Sequence, residues 1–512
     1  MTPISDETDI EVLRRKALML DGEVRVMTKH IAKLERKLAE LEGRTPEELQ
    51  QQLQFLEEQL AAKNRALFGD SSEKRPPAGD GAPKKKRGKK RRGHGPRPQP
   101  QLPVIETEHA LDEPDQVCPR CGGQLEEWEG QFEESEEIDV IERQFVIRKH
   151  KRKKYRCRCN ACVETALGPV KLIPGGRYSL DFAVDVAVQK YLDHLPLERQ
   201  VRVMARQGLE VTSQTLWDQL DALARVLAPH HDAIHAHVLQ QPVIGADETT
   251  WRLMGNEVNV RKKLRKSKKW FVWAVAAPDG VSYRIFEHRS AEAAKAVLGD
   301  YGGQVITDGY AAYGSLKKNG GRFALLHCWA HVRRKFREAA PHSPEAEEMV
   351  DLIGELYAIE RSCPRLPRDR SSSEAEAVAA QRQKIHDEHS RAVVKQIYDW
   401  YLEHKPLALP KSSFGKALSY LAEMWPGLEQ FLDDPWIPLD NNGTERALRG
   451  VVIGRKNHYG SKSKRGTEVA ALFYTLLESA KLAGVNPAAY LKAAAVKKLR
   501  FDQVLLPHEY RG

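Results

Sequence analysis

No part of this 512-residue chain is apolar for the ~20 residues that a membrane-spanning helix needs. The nearest candidate, WFVWAVAA at 270–277, has the length of a strand. The N-terminus MTPISDETD is acidic and holds no signal-peptide core, so a cytoplasmic protein is expected and no membrane partner. Cysteine is scarce: there are seven, and five fall between 118 and 162. That clustering excludes a disulfide framework and points to a metal. Acid is outnumbered, 71 Asp and Glu against 81 Lys and Arg, which leaves a net charge of +10 and suits a polyanionic partner such as nucleic acid. The length exceeds one ordinary core, so three or more domains are expected.

From Ile10 the apolar residues step by three and four through Leu13, Ala17, Leu20, Val24, Met27, Ile31, Leu34, Leu38 and Leu41. This heptad seam predicts coiled-coil oligomerisation helices over 8–69 and a homo-oligomer, in preference to a lone amphipathic helix lying on the body. Residues 70–103 carry proline, glycine and the basic block Lys84–Arg92, and read as a disordered linker that either tethers or grips phosphates. A zinc-ribbon-like module is expected over 104–168: CPRC at 118–121, then CRCNAC at 157–162 after a hairpin-length insert. Cys118, Cys121, Cys159 and Cys162 give symmetric spacing for a structural zinc, with Cys157 as a possible substitute. Over 175–235 the pattern is helical, with a turn at Gly208 and a cap at Thr212 or Ser213, the layout of a helix-turn-helix. Thr212, Ser213 and Gln214 open its second helix and are the candidate DNA contacts there.

At 242 the pattern turns to strands. PVIGAD ends an apolar run in Asp247; two more strands and a helix follow; QVITD then ends another run in Asp308. FALLHCWAHVRRKF reads as a strand running into a basic helix that offers Arg333 and Arg334. This order fits a ribonuclease-H-like α/β core over 240–340 and 437–480, in which the first and fourth strands lie side by side. Their two acids would repel unless cations neutralise them. In DNNGTERALRGVVIGRKN, Glu445 has two readings: the N3 member of a capping box begun by Asn442 and paired with Arg449, or a third carboxylate. The context favours a triad of Asp247, Asp308 and Glu445 holding two Mg²⁺ ions for phosphodiester displacement, with Arg446, Arg449, Arg455 and Lys456 on phosphates. Cys328 and His331 have knuckle spacing but no second ligand pair, so they read as a helix-start cluster supporting Asp308.

HLPLERQ, ADETTW, TDGYAAY, HCWAHVRRKF, DNNGTERALR and GRKN occur in this order, with LFGDSSEK before them and GVNPAAYL after. Together they resemble the insertion sequence 66 family of bacterial DDE transposases over almost the whole chain. The resemblance implies a multidomain α/β protein with a helical insertion over 341–436 and a C-terminal tail over 481–512. It also implies a bacterial, nucleoid-associated enzyme that binds the terminal inverted repeats of a mobile element. Such an enzyme cleaves the 3′ ends, joins them to target DNA, and works with small accessory proteins of the same element. Two other readings share these residues: a catalytically inactive DNA-binding regulator, and a structure-selective nuclease of the same fold.

Overall fold

A computed structural model describes residues 120, 144–156, 163–259, 264–367 and 370–511. The expected coiled coil, the basic linker and all five clustered cysteines lie outside the described residues. Every element named below belongs to one unit of the chain. Strands β1 (Lys154–Arg156) and β2 (Val163–Thr165) flank residues 157–162 and pair antiparallel, Lys154 opposite Thr165.

Three helices precede the main sheet. α1 (Leu180–Tyr191) starts where the Ser179 hydroxyl accepts a hydrogen bond from the Phe182 amide at 3.2 Å. α2 (Leu197–Arg206) follows, and the chain reverses at Gly208, whose φ of +79° is the left-handed conformation that glycine adopts without strain. α3 (Ser213–Leu239) begins at Thr212, whose Oγ1 accepts from the Thr215 amide at 3.1 Å. The expected pair of helices and its turn are therefore present. The second helix, however, runs on for 27 residues and buries Leu216, Leu220, Leu223, Leu227, Ile234 and Val238 as a main core element.

The sheet opens with β3 (Val243–Asn259), β4 (Leu264–Ala277) and β5 (Gly280–Phe286), an antiparallel meander. α4 (Ala291–Leu298) then crosses to β6 (Gln304–Thr307), and α5 (Ala311–Lys318) to β7 (Ala324–His327). The strand order is β5-β4-β3-β6-β7, with β6 parallel to β3 and β7 parallel to β6. The first and fourth strands are thus neighbours. Alternation of side chains sends Ile244 and Val305 into one core, and Val243 and Ile306 into another.

The second core is built by helices. α6 (Trp329–Ala339), α7 (Glu345–Ser362), α9 (Arg391–His404) and α10 (Ser413–Leu428) supply Val332, Phe336, Met349, Ile353, Ile397, Leu418 and Leu421, packed with Ile306 and Leu326, and α8 (Ser373–Ile385) lies between α7 and α9 in the chain. The stretch expected to be a helical insertion is helical and completes one face of the sheet. α11 (Asn442–His458) returns to β3. α12 (Lys464–Ala483) is almost continuously buried from Val469 to Ala480.

The segment expected to be a tail instead forms α13 (Pro487–Phe501), which buries Tyr490, Leu491, Ala494 and Ala495 against α1, α3 and α12. Asn486 caps it through a 3.0 Å bond from the Ala489 amide.

The free edge of β5 is closed by side chains. On α12, Ser479 Oγ accepts from the Val281 amide (3.0 Å) and donates to the Val281 carbonyl (2.9 Å), while Thr475 Oγ1 accepts from the Tyr283 amide (2.9 Å). His231 Nε2 of α3 meets the Tyr283 carbonyl at 3.1 Å. An edge that would otherwise offer unpaired amides is thereby satisfied. Among the described residues no helix is long and apolar enough to cross a membrane.

Candidate active site

Asp247 and Asp308 are brought together by strand register. Gly245 pairs with Ile306 across the parallel β3–β6 ladder, so two residues further on each strand Asp247 faces Asp308. Asp308 stands just beyond β6, with its Oδ1 accepting from the Tyr310 amide at 2.9 Å and its carbonyl accepting from the Tyr420 hydroxyl at 2.5 Å. Gly309 must follow it: its φ is +83°, and a Cβ there would meet Met424 Sδ at 2.5 Å.

Glu445 arrives from α11. The helix begins at Asn442, with Asn441 as its cap residue and no side-chain cap bond, so the expected capping box is not formed. The reason is tertiary. The Asn441 side-chain amide donates across to the Ala246 carbonyl at 2.8 Å, and Asn442 bonds instead to Asp440. The Asn441 backbone amide donates to Cys328 Sγ at 3.3 Å. These contacts bolt the first turn of α11 to β3 and to the start of α6. Gly245 allows that approach, because a Cβ there would lie 2.0 Å from Thr444 Oγ1 and 2.3 Å from Asn441 Oδ1. Gly245→Ala is expected to cost about 1–3 kcal/mol through overpacking, read as a lower urea midpoint.

Glu445 does not pair with Arg449 as a helix-surface reading would have it. It faces α6, with Oε1 at 3.6 Å from His331 Nε2 and Oε2 at 4.0 Å from Arg334. Glu445 Oε1 is buried without a hydrogen-bond partner. Cys328 is buried and its thiol is pushed up to about 12 by burial, which suits its role as a neutral acceptor for the Asn441 amide. The Cys328–His331 pair therefore positions Asn441 and Glu445 in addition to lying near Asp308, whose charge acts on His331.

The acids sense one another. Burial first, then the charges of Glu248, Asp308 and Glu445, raise the Asp247 pKa to about 7. In the unfolded chain it returns to 3.8. The folded state therefore carries an ionisation penalty that is absent below about pH 3.8, grows as pH rises, and is complete above about 7. Asp247→Asn removes it, and the chelator-treated variant is expected to gain up to about 4 kcal/mol at pH 8 and almost nothing near pH 4. Thermal unfolding at the two pH values checks this.

Glu248 was not anticipated. It points to the sheet face opposite Asp247, where its buried carboxylate accepts from Arg289 (Nε, 2.7 Å) and from the Tyr313 hydroxyl (3.1 Å). Arg289 also lies 3.6 Å over the Tyr310 ring, and Tyr310 donates its hydroxyl to the Arg289 carbonyl at 2.8 Å. This cluster clamps the β5–α4 loop and the segment after Asp308 to the strand carrying Asp247. The doubled acid in ADETTW was its one visible sign.

Of the expected phosphate contacts, Arg446, Arg449 and Lys456 are exposed on α11, and Arg334 is exposed beside a half-buried Arg333 on α6. Arg455 is a correction. Its Nη1 donates to Thr249 Oγ1 at 3.2 Å, to Thr250 Oγ1 at 2.6 Å and to the Thr250 carbonyl, so it fastens α11 to β3. At α3, Thr212 commits its hydroxyl to the cap, Ser213 is half-buried, and Gln214 is exposed and donates to Asp218 at 2.8 Å.

A family model described as "Transposase IS66 family" matches residues 175–469, and one described as "zinc-finger binding domain of transposase IS66" matches residues 115–160. The second match takes in Cys118, Cys121, Cys157 and Cys159 and stops short of Cys162. A nucleic-acid-processing enzyme with a structural zinc module is the class these features define. The chain belongs to the IS66 family of transposases. It is 33% identical over 371 residues to the uncharacterized protein y4jD of Sinorhizobium fredii (strain NBRC 101917 / NGR234), covering 70% of each chain. It is 28% identical over 411 residues to the uncharacterized protein y4hP of the same strain, covering 76% of this chain and 71% of the relative.

Proposed function

We propose that this transposase cuts and joins DNA at a ribonuclease-H-like carboxylate centre made by Asp247, Asp308 and Glu445. The observation that carries the reading is the strand register that sets Asp247 opposite Asp308, and it is supported by an Asp247 carboxyl raised to about 7 by burial first and then by the charges of Glu248, Asp308 and Glu445. The donor set fits hard divalent cations: three carboxylates, with a buried Glu445 oxygen lacking a hydrogen-bond partner. Two Mg²⁺ ions bound there would supply an activated hydroxyl and a neutralised leaving oxygen for in-line displacement at phosphorus.

The chain's own groups do the positioning. Asp247 is held in β3 by its pairing with Ala274 of β4, Asp308 follows two residues after the last β3–β6 pair, and Asp308 is fixed further by the Tyr310 amide. Glu445 is set by the Asn441 bridge to β3, and Arg334 balances its charge from α6 beside the His331 ring. Arg446, Arg449 and Lys456 line α11 as phosphate contacts, with Arg333 and Arg334 on the neighbouring helix; arginine's planar fork suits two phosphate oxygens at once. The exposed first turn of α3, with Thr212, Ser213 and Gln214, and the zinc module would read the element's terminal inverted repeats. Cys118, Cys121, Cys159 and Cys162, with Cys157 as a possible substitute, are the thiolates to hold that zinc. The heptad seam would pair two ends, in a cytoplasmic assembly at the nucleoid that accepts small accessory proteins of the element.

The test is incubation of the full chain with Mg²⁺ and labelled inverted-repeat DNA plus a target plasmid. Cleaved 3′ ends and joined products are expected. Binding without cleavage would leave a DNA-binding regulator, and cleavage without joining a nuclease.

A further inference from the structure

Away from the carboxylate centre, three chain segments converge on one small cluster. His237 comes from the last turn of α3, Asp279 from the β4–β5 turn, and His508 from a short 3-10 turn, Pro507–Glu509, that follows α13. His237 Nε2 lies 2.9 Å from Asp279 Oδ2, and His508 Nδ1 lies 4.0 Å from the same oxygen. The two imidazoles are stacked, with centroids 4.3 Å apart and planes 28° apart, so both present a nitrogen to the same carboxylate. One donor atom from each residue falls within 4.8 Å of the others.

We propose that His237, Asp279 and His508 form a binding site for a borderline divalent transition metal, with zinc the ion it would take. Two imidazole nitrogens and one carboxylate oxygen are the donor types that zinc accepts, and three such ligands leave a fourth position for water. Tetrahedral bonds of about 2.0–2.2 Å space donors roughly 3.3 Å apart, and the observed 2.9 and 4.0 Å bracket that value.

An ordinary ion pair between His237 and Asp279 explains less. It leaves the approach of His508 to the same oxygen without a cause, and Asp279 Oδ1 is buried with no hydrogen-bond partner. The charges acting on His237, from Asp279 and Glu509, are both negative. The comparable grouping of Glu360, Cys363 and His386 differs on this point: the Arg382 guanidinium is bonded to Glu360, so a cation already fills it.

Bound zinc would tie the 3-10 turn after α13 to the hairpin that carries the sheet's edge strand. The test uses the full chain, stripped with chelator and dialysed against Zn²⁺, with zinc per chain measured by elemental analysis. His508→Ala and Asp279→Asn are each expected to hold one zinc ion fewer than the parent, and to lose part of the zinc-dependent rise in melting temperature. His508 is about one-third exposed in a surface turn, and Asp279→Asn preserves shape, so neither variant depends on the other for a folded control. Loading with Co²⁺ separates this site from the cysteine module, because it should add absorption without thiolate charge transfer. Equal zinc content in the parent and both variants, or cobalt bound only with thiolate absorption, would overturn the proposal.

Discussion

Asp308→Asn is expected to slow Mg²⁺-dependent end cleavage by about a thousandfold, the loss of roughly 4 kcal/mol of transition-state stabilisation. The size follows from charge: a carboxamide binds a divalent cation far more weakly than a carboxylate does. The specificity follows from local geometry. Asp308 uses Oδ1 to accept from the Tyr310 amide, and its backbone carbonyl to accept from Tyr420. Asparagine keeps both bonds, so the loop and the neighbouring helix should stay in place. Inverted-repeat binding is therefore expected to be unchanged while single-turnover cleavage disappears. An unaltered cleavage rate in this variant would remove the carboxylate triad as the chemical centre.

Acid should unfold the protein well before its carboxylates are titrated. Burial holds the pKa values of His230, His235 and His458 at about 4, against 6.5 in the unfolded chain. Between those values the unfolded state binds protons that the folded state does not. The stability these groups contribute is whole above about pH 6.5 and is lost as pH falls towards 4. Each is worth about 3 kcal/mol at most, and three together approach the net stability of an ordinary domain. Asp247 works in the opposite direction over the same range and offsets part of the loss.

His230 is the sharpest case, fully buried in α3 with both ring nitrogens lacking a hydrogen-bond partner. His230→Leu is expected to flatten the acid limb and to leave stability at pH 7.5 equal or higher. Urea midpoints at pH 7.5 and 4.5 give the comparison, and a parent midpoint that ignores pH would contradict the account.

How far these features can be read from the chain depends on how local their causes are. Asp247 and Asp308 announce themselves because each closes a short apolar run, and strand order then makes them neighbours. Glu445 is ambiguous on its own: a carboxylate in the first turn of a helix matches a cap equally well. What decides its placement is the Asn441 amide reaching Ala246, a contact across 195 residues that no nearby pattern encodes.

Arg455 misleads for the same reason, since its partner Thr250 lies 205 residues away and looks like an unremarkable strand residue. The Glu248–Arg289–Tyr313 clamp is invisible until α4 and α5 are folded onto the sheet. The last segment is a tail only by resemblance, and its small alanine side chains are what let α13 lie close against three other helices.

The hydroxyls of Ser479 and Thr475, sealing the outermost strand, also restrict how copies of this protein can meet. A border whose Val281 and Tyr283 amides are already bonded has fewer donors for an incoming peptide ribbon to zip onto, so growth by extension from β5 is disfavoured. Copies that meet on this side of the sheet must then associate through side-chain surfaces, where stoichiometry is selectable.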